Sequence, residues 1–155
     1  MHLGDFISPE AVIPSLKSKN KKQLLQELAV RAASLTGIQE RDIFDVLWQR
    51  ERLGSTGLGQ GVAIPHGKLG TLKRIVGVFA RLAEPTDFDS VDGEPVDIVF
   101  LLLAPDGAGA DHLKALARIS RLLRDGTAVE KLRASKDAAA LYAVLTEEEA
   151  SSHAA

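Results

Sequence analysis

Two of the four histidines stand where a side chain can do chemistry. His66 closes the run Val62-Ala63-Ile64-Pro65-His66-Gly67, directly after a segment carrying Gly54, Gly57, Gly59 and Gly61. His112 follows Asp111 at the start of a second strongly patterned segment, beyond the loop Asp106–Ala110. His2 and His153 lie at the chain ends and read as solvated. Arg50 and Arg52 precede the glycine segment, and Ser55 and Thr56 lie within it. Glycine tolerates positive φ and close approach, so such a segment can turn several N–H groups toward one anion. Guanidinium groups fork onto phosphate oxygens. Neutral imidazole is a competent nucleophile near pH 7 without a separate base. Together these residues suit a phosphoryl group held on nitrogen. His66 would carry it, Arg50 and the donors of Ser55, Thr56, Gly57, Gly59 and Gly61 would hold its oxygens, and His112 would donate an N–H to it. The plainer alternatives stay open at this point: a turn histidine bonded to nearby backbone at position 66, and a polar first-turn residue at position 112.

Other chemistries fit poorly. From Gly61 to Lys68 the spacing is one residue too long for a phosphate loop, and Leu69 stands where Ser or Thr is needed. The glycines do not match the dinucleotide pattern. Gly54-Ser55-Thr56-Gly57 is not a nucleophile elbow. Two histidines and Asp111 lack a further carboxylate at ligand spacing, so no metal is expected, and the chemistry calls for no cofactor. The absence of cysteine excludes disulfides, thiolate metal sites and thiol nucleophiles. A net charge of -2 gives no reason to expect nucleic acid. No apolar run reaches the length of about 18 residues that a membrane helix needs, and the N-terminus has no signal-peptide pattern. The expectation is a cytoplasmic protein without membrane insertion.

The elements that must position these groups are legible in outline. With 155 residues, 45% of them apolar and 26% charged, the chain suits one domain, 1–155, with a core of about 5–146 and a frayed tail from 147 to 155. Asn20 and Gln23 form a weak capping box for a helix whose apolar face is Leu24, Leu25, Leu28, Ala29, Ala32 and Leu35, ended by Gly37. A second helix spans about Glu40 to Arg52, with Ile43, Val46 and Leu47 inward and Gly54 as its stop. Short strands are expected at Val62–Ile64, ending beside His66, and at Ile75–Leu82. The continuous apolar run Pro95–Pro105 reads as a strand covered on both faces. A strong helix from about Asp111 to Arg124 should turn Leu113, Leu116, Ala117, Ser120 and Leu123 inward, closed by Gly126. Helices near Val129–Ala134 and Asp137–Leu145 follow. The class is α/β, and both histidines should lie near C-terminal ends of strands.

Arg50-Glu51, Gly57-x-Gly59-x-Gly61, Ile64-Pro65-His66-Gly67 and Asp111-His112-Leu113 together resemble the IIA domains of the mannitol/fructose class of the bacterial phosphoenolpyruvate-dependent phosphotransferase system. The wording Arg-Glu-Arg-Leu-Gly-Ser-Thr-Gly and Ile-Pro-His-Gly-Lys is most similar to the stand-alone nitrogen-regulatory branch. The resemblance spans roughly residues 5 to 146. It implies a mixed central sheet flanked by helices on both faces. It implies that His66 takes the phosphoryl group from a histidine of an HPr/NPr-type carrier, with Arg50 contacting that group and His112 as the second active-site histidine. It also implies partner proteins read according to phosphorylation state, potassium transport and sensing proteins among them. Two alternatives remain: a sugar-transport component passing the group to a IIB domain, and an interaction module in which His66 is structural.

Overall fold

A computed structural model describes residues 1–147; the expected tail lies outside the described residues from 148 onward. Among the described residues, six strands and five α-helices make an α/β domain with helices on both faces of a mixed sheet. The strands are β1 (Val12–Leu16), β2 (Gly57–Gly59), β3 (Val62–Ala63), β4 (His66–Leu69), β5 (Val76–Thr86) and β6 (Val96–Pro105). The helices are α1 (Lys21–Thr36), α2 (Glu40–Arg52), α3 (Ala110–Arg124), α4 (Gly126–Ala134) and α5 (Ala138–Leu145). The sheet order is β1-β5-β6-β3-β2, with β4 also on β6. The β5–β6 and β2–β3 pairs are antiparallel, and the rest are parallel.

Helix α1 forms as its sequence dictates. Asn20 Oδ1 accepts from Gln23 N at 2.8 Å, and Gly37 ends the helix in the left-handed region at φ 76°. The Gln23 side chain reaches back one residue further than a capping box requires, accepting from Lys19 N at 2.6 Å. Leu24, Leu25, Leu28, Ala29 and Ala32 are buried, and each of the leucines contributes about 1.5–3 kcal/mol by leaving water. Strand β6 is buried on both faces from Ile98 to Ala104, as its unbroken apolar run requires.

Strands β3 and β4 are one strand with an interruption. Val62 faces Ile98, Ala63 faces Val99 and His66 faces Leu102, so the register on β6 never slips. Pro65 has no N–H to give, yet its carbonyl accepts from Leu102 N at 2.9 Å, and the ladder resumes at once. His66 therefore opens β4 instead of ending the preceding strand, and it lies along the sheet instead of at a C-terminal strand end. The glycine segment also differs from the expected open loop. Gln60 (φ 57°) and Gly61 (φ 82°) make a two-residue turn with both central residues at positive φ, and β2 folds back on β3.

Two further corrections concern packing. The inward face of α3 is His112, Ala115, Ile119, Leu122 and Leu123, whereas Leu113 is 67% exposed. The two faces are a residue apart in the helical repeat, and the choice is made by the sheet beneath, not by the helix. Gly126 opens α4 instead of closing α3, under a cap in which Asp125 accepts from Thr127 N and Ala128 N. Gly67 has no room for a side chain: a Cβ there would lie 2.4 Å from Val46 Cγ1 on α2. Gly67→Ala should therefore cost about 1–3 kcal/mol of stability in urea unfolding. Pairing it with Val46→Ala should recover part of that loss; simple additivity in the double variant would show that the helix–strand contact is not the cause.

Candidate active site

Helix α2, the hairpin β2–β3 and helix α3 meet around His66. A cavity of about 260 Å³ is lined by Arg50, Ser55, Thr56, Gly57, Leu58, Ile64, His66, Leu116 and Ser120. The His112 ring stands beside His66, centroids 6.0 Å apart and planes tilted by 55°. Residues far apart in the chain, Arg50, His66 and His112, are thus brought together, with Ser55, Thr56 and Gly57 on the same wall. Gly59 and Gly61 are not on it. They shape the hairpin, where a Cβ on Gly59 would meet Asp92 and one on Gly61 would meet Arg133. Arg52 is exposed and does not line the cavity.

The donors on the glycine wall are mostly committed. Ser55 Oγ donates to the carbonyl of Phe88 at 2.7 Å and accepts from Gly57 N at 3.1 Å. Thr56 gives its N–H to Glu51 Oε1 at 2.6 Å and its hydroxyl to Glu51 Oε2 at 2.6 Å. Arg50 gives Nη1 to the carbonyl of Gly54 at 2.9 Å, which holds its guanidinium at the cavity rim. His112 is only 7% exposed, in the first turn of α3, and its Nδ1 is buried without a partner.

His66 Nδ1 lies 2.7 Å from the carbonyl of Ile64. A carbonyl only accepts, so this nitrogen carries the proton and the Nε2 lone pair is left for chemistry. Burial holds the His66 imidazole below its ordinary pKa of about 6.5, with the Arg50 charge acting in the same direction. The bond to Ile64 and the Glu51 charge oppose this. His112 is also held down, by burial first and then by repulsion from His66, when that ring is protonated, and from Lys68. Both rings are therefore neutral near pH 7.

A family model described as "Phosphoenolpyruvate-dependent sugar phosphotransferase system, EIIA 2" matches residues 5–148. The chain belongs to this family. Among IIA relatives, the nitrogen regulatory protein of Bradyrhizobium diazoefficiens is 65% identical over 145 residues, spanning 94% of this chain and 95% of the relative. The nitrogen regulatory protein of Escherichia coli K12 is 36% identical over 151 residues, spanning 96% and 92%. Of solved structures, the nitrogen regulatory protein IIA-Ntr of Neisseria meningitidis superposes with a TM-score of 0.88 at 35% identity, covering 93% of this chain and 99% of that one. The Escherichia coli mannitol IIA shares the fold, with a TM-score of 0.75 at 19% identity over 89% and 97%. This chain is thus a nitrogen-related IIA component of the phosphotransferase system. Among the described residues, no helix is long and apolar enough to cross a membrane, and no cluster of His, Asp and Glu is arranged to hold a metal.

The sequence reading named Glu51 only within the Arg50-Glu51 pair and gave it no role. Glu51 is 6% exposed, binds Thr56 through both oxygens and pairs with Lys21 Nζ at 3.3 Å. The available signal was a carboxylate in the last turn of a helix, where the dipole disfavours it.

The depressed imidazoles give a pH test. Folding holds both pKa values below that of the unfolded chain, so between the folded midpoints and about 6.5 the unfolded chain binds more protons. Stability should fall as pH drops through that window and be unaffected by these groups above it. NMR titration should place both ring midpoints below 6.5, and His112→Gln should flatten the slope of stability against pH; a midpoint at or above 6.5 for either ring would contradict this electrostatic account.

Proposed function

We propose that this IIA chain is a phosphohistidine carrier that accepts a phosphoryl group on Nε2 of His66 from an HPr/NPr-type protein and regulates partner proteins by its phosphorylation state. The observation that carries this is the His66–Ile64 hydrogen bond, which leaves Nε2 as the nucleophilic nitrogen on the wall of a cavity shared with Arg50. In the transfer, the Nε2 lone pair forms the new N–P bond while the N–P bond of the carrier's phosphohistidine breaks and its electron pair returns to that ring. The proton stays on Nδ1 throughout, donated to the Ile64 carbonyl. The transition state is loose, so the protein's task is alignment and charge stabilisation. Arg50 meets the equatorial oxygens, and His112, neutral and close, donates an N–H to the bound group. Ser55, Thr56 and Gly57 shape the wall and hold its geometry, their own donors being largely spent on protein acceptors.

A dianionic group at this cavity changes the charge of the surface around it, which is the physical basis for partners that distinguish the two states. Potassium transport and sensing proteins are one such partner class. The relation to nitrogen regulatory proteins supports this regulatory reading over transfer to a IIB domain. A fructose-specific EIIA of Haloferax volcanii, 35% identical over 135 residues, keeps the transport reading as the alternative.

Incubation with phosphoenolpyruvate, the system's first enzyme and HPr or NPr should add one acid-labile phosphoryl group to the wild type and none to His66→Ala. Arg50→Ala should slow the transfer on the order of 10²-fold with the fold intact, the scale for removing one positioned charge-stabilising donor. Equal labelling of His66→Ala, or no labelling of the wild type with either carrier, would sink the proposal.

A further inference from the structure

Beyond the carrier reading, on which this inference rests, the hairpin next to His66 contains a broken rung. Gly57 pairs with Ala63 across β2 and β3, so the next rung outward sets Thr56 opposite Ile64. Ile64 N donates to the carbonyl of Thr56 at 3.0 Å, which is one half of that rung. In an antiparallel hydrogen-bonded pair the residues exchange both bonds, so Thr56 N–H would ordinarily close onto the Ile64 carbonyl. It does not. Thr56 N–H goes to Glu51 Oε1 at 2.6 Å, and the Ile64 carbonyl accepts from His66 Nδ1 at 2.7 Å instead.

We infer that Glu51 is a positioning residue for His66: by capturing the Thr56 N–H it keeps the Ile64 carbonyl available to hold the imidazole in its Nδ1–H form. The Thr56 hydroxyl on the same carboxylate, at 2.6 Å from Oε2, fixes which way the carboxylate faces. Lys21 Nζ, at 3.3 Å, balances its charge and also donates to the carbonyl of Phe88 at 3.3 Å. A buried carboxylate is a costly way to satisfy one N–H, and the sheet offered a neutral acceptor for the same donor. Diverting that donor puts the carbonyl within reach of the imidazole. Glu51 touches neither phosphoryl donor nor acceptor atom; it acts through two peptide groups.

The test replaces the carboxylate by an apolar group and by its amide. In Glu51→Leu the Thr56 N–H should close the rung, and His66 should show a mixture of ring tautomers in long-range ¹H–¹⁵N correlation spectra of the unphosphorylated protein, where the wild type shows Nδ1–H alone. Transfer onto His66 should slow by roughly tenfold, the scale of a partly lost orientation of a reacting group. Glu51→Gln keeps an oxygen for Thr56 N–H and should restore the single tautomer and most of the rate. If Glu51→Leu does not fold, Lys21→Met with Glu51→Leu removes the buried pair together and carries the same expectation. A folded leucine variant, single or double, with His66 still wholly Nδ1–H would overturn the inference. The tautomer is read without phosphorylation, so a wild type that takes no phosphoryl group would sink the carrier reading and leave this inference to be judged on the spectra.

Discussion

The hydrogen bond between His66 Nδ1 and the carbonyl of Ile64 is the constraint on which the rest of the site depends. Imidazole is symmetric enough to act through either nitrogen, and an unheld ring would divide its nucleophilicity between two geometries. One 2.7 Å bond removes that choice. The bond spans only two residues, yet it exists because the strand is interrupted in a particular way. Pro65 withholds a donor while its carbonyl keeps the ladder on β6, and a carboxylate on another element takes the N–H that would have claimed the Ile64 oxygen. The ring is then held with its free nitrogen on the wall of the cavity that Arg50 shares.

Around that bond the fold acts as a set of braces. Helix α2 brings Arg50 to the cavity and sets the next residue, Glu51, against Thr56 N. The Gly67–Val46 contact sets how closely α2 approaches the strand bearing His66. On the far side of the hairpin, Arg133 of α4 binds Asp97 through Nε at 2.9 Å and the carbonyl of Gln60 through Nη2 at 2.7 Å, tying the turn to the sheet. Asp92 accepts from Gln60 N at 2.8 Å on the same turn. Glycines that read as phosphate donors are thus mainly what a tight turn and close packing demand, and the charge that can meet an anion comes from side chains.

Much of this was legible in the sequence, and the parts that were not share a cause. Caps, helical periodicity and the unbroken apolar run of β6 are local signals, and they place the helices and the central strands closely. Arg50, His66 and His112 stood out because each is a chemically capable residue at the edge of a glycine-rich segment. The missed features are relations between distant segments. Whether Leu113 or His112 faces inward depends on where β6 delivers the chain. Whether Thr56 N–H serves an anion or Glu51 depends on how α2 lies over the hairpin. Arg133 and Asp92 are 73 and 32 residues from the turn they hold, and no spacing rule points to them.

The proposed carrier chemistry requires that Nε2 of His66 be the nitrogen that bonds phosphorus. ¹H–¹⁵N and ³¹P spectra of the protein labelled by the phosphotransferase relay distinguish the two ring positions directly. A phosphoryl group on Nε2, with Nδ1–H still bonded to the Ile64 carbonyl, is the result the structure predicts. A group on Nδ1 would mean that the bond to Ile64 is broken before transfer, and would contradict the mechanism at its first step.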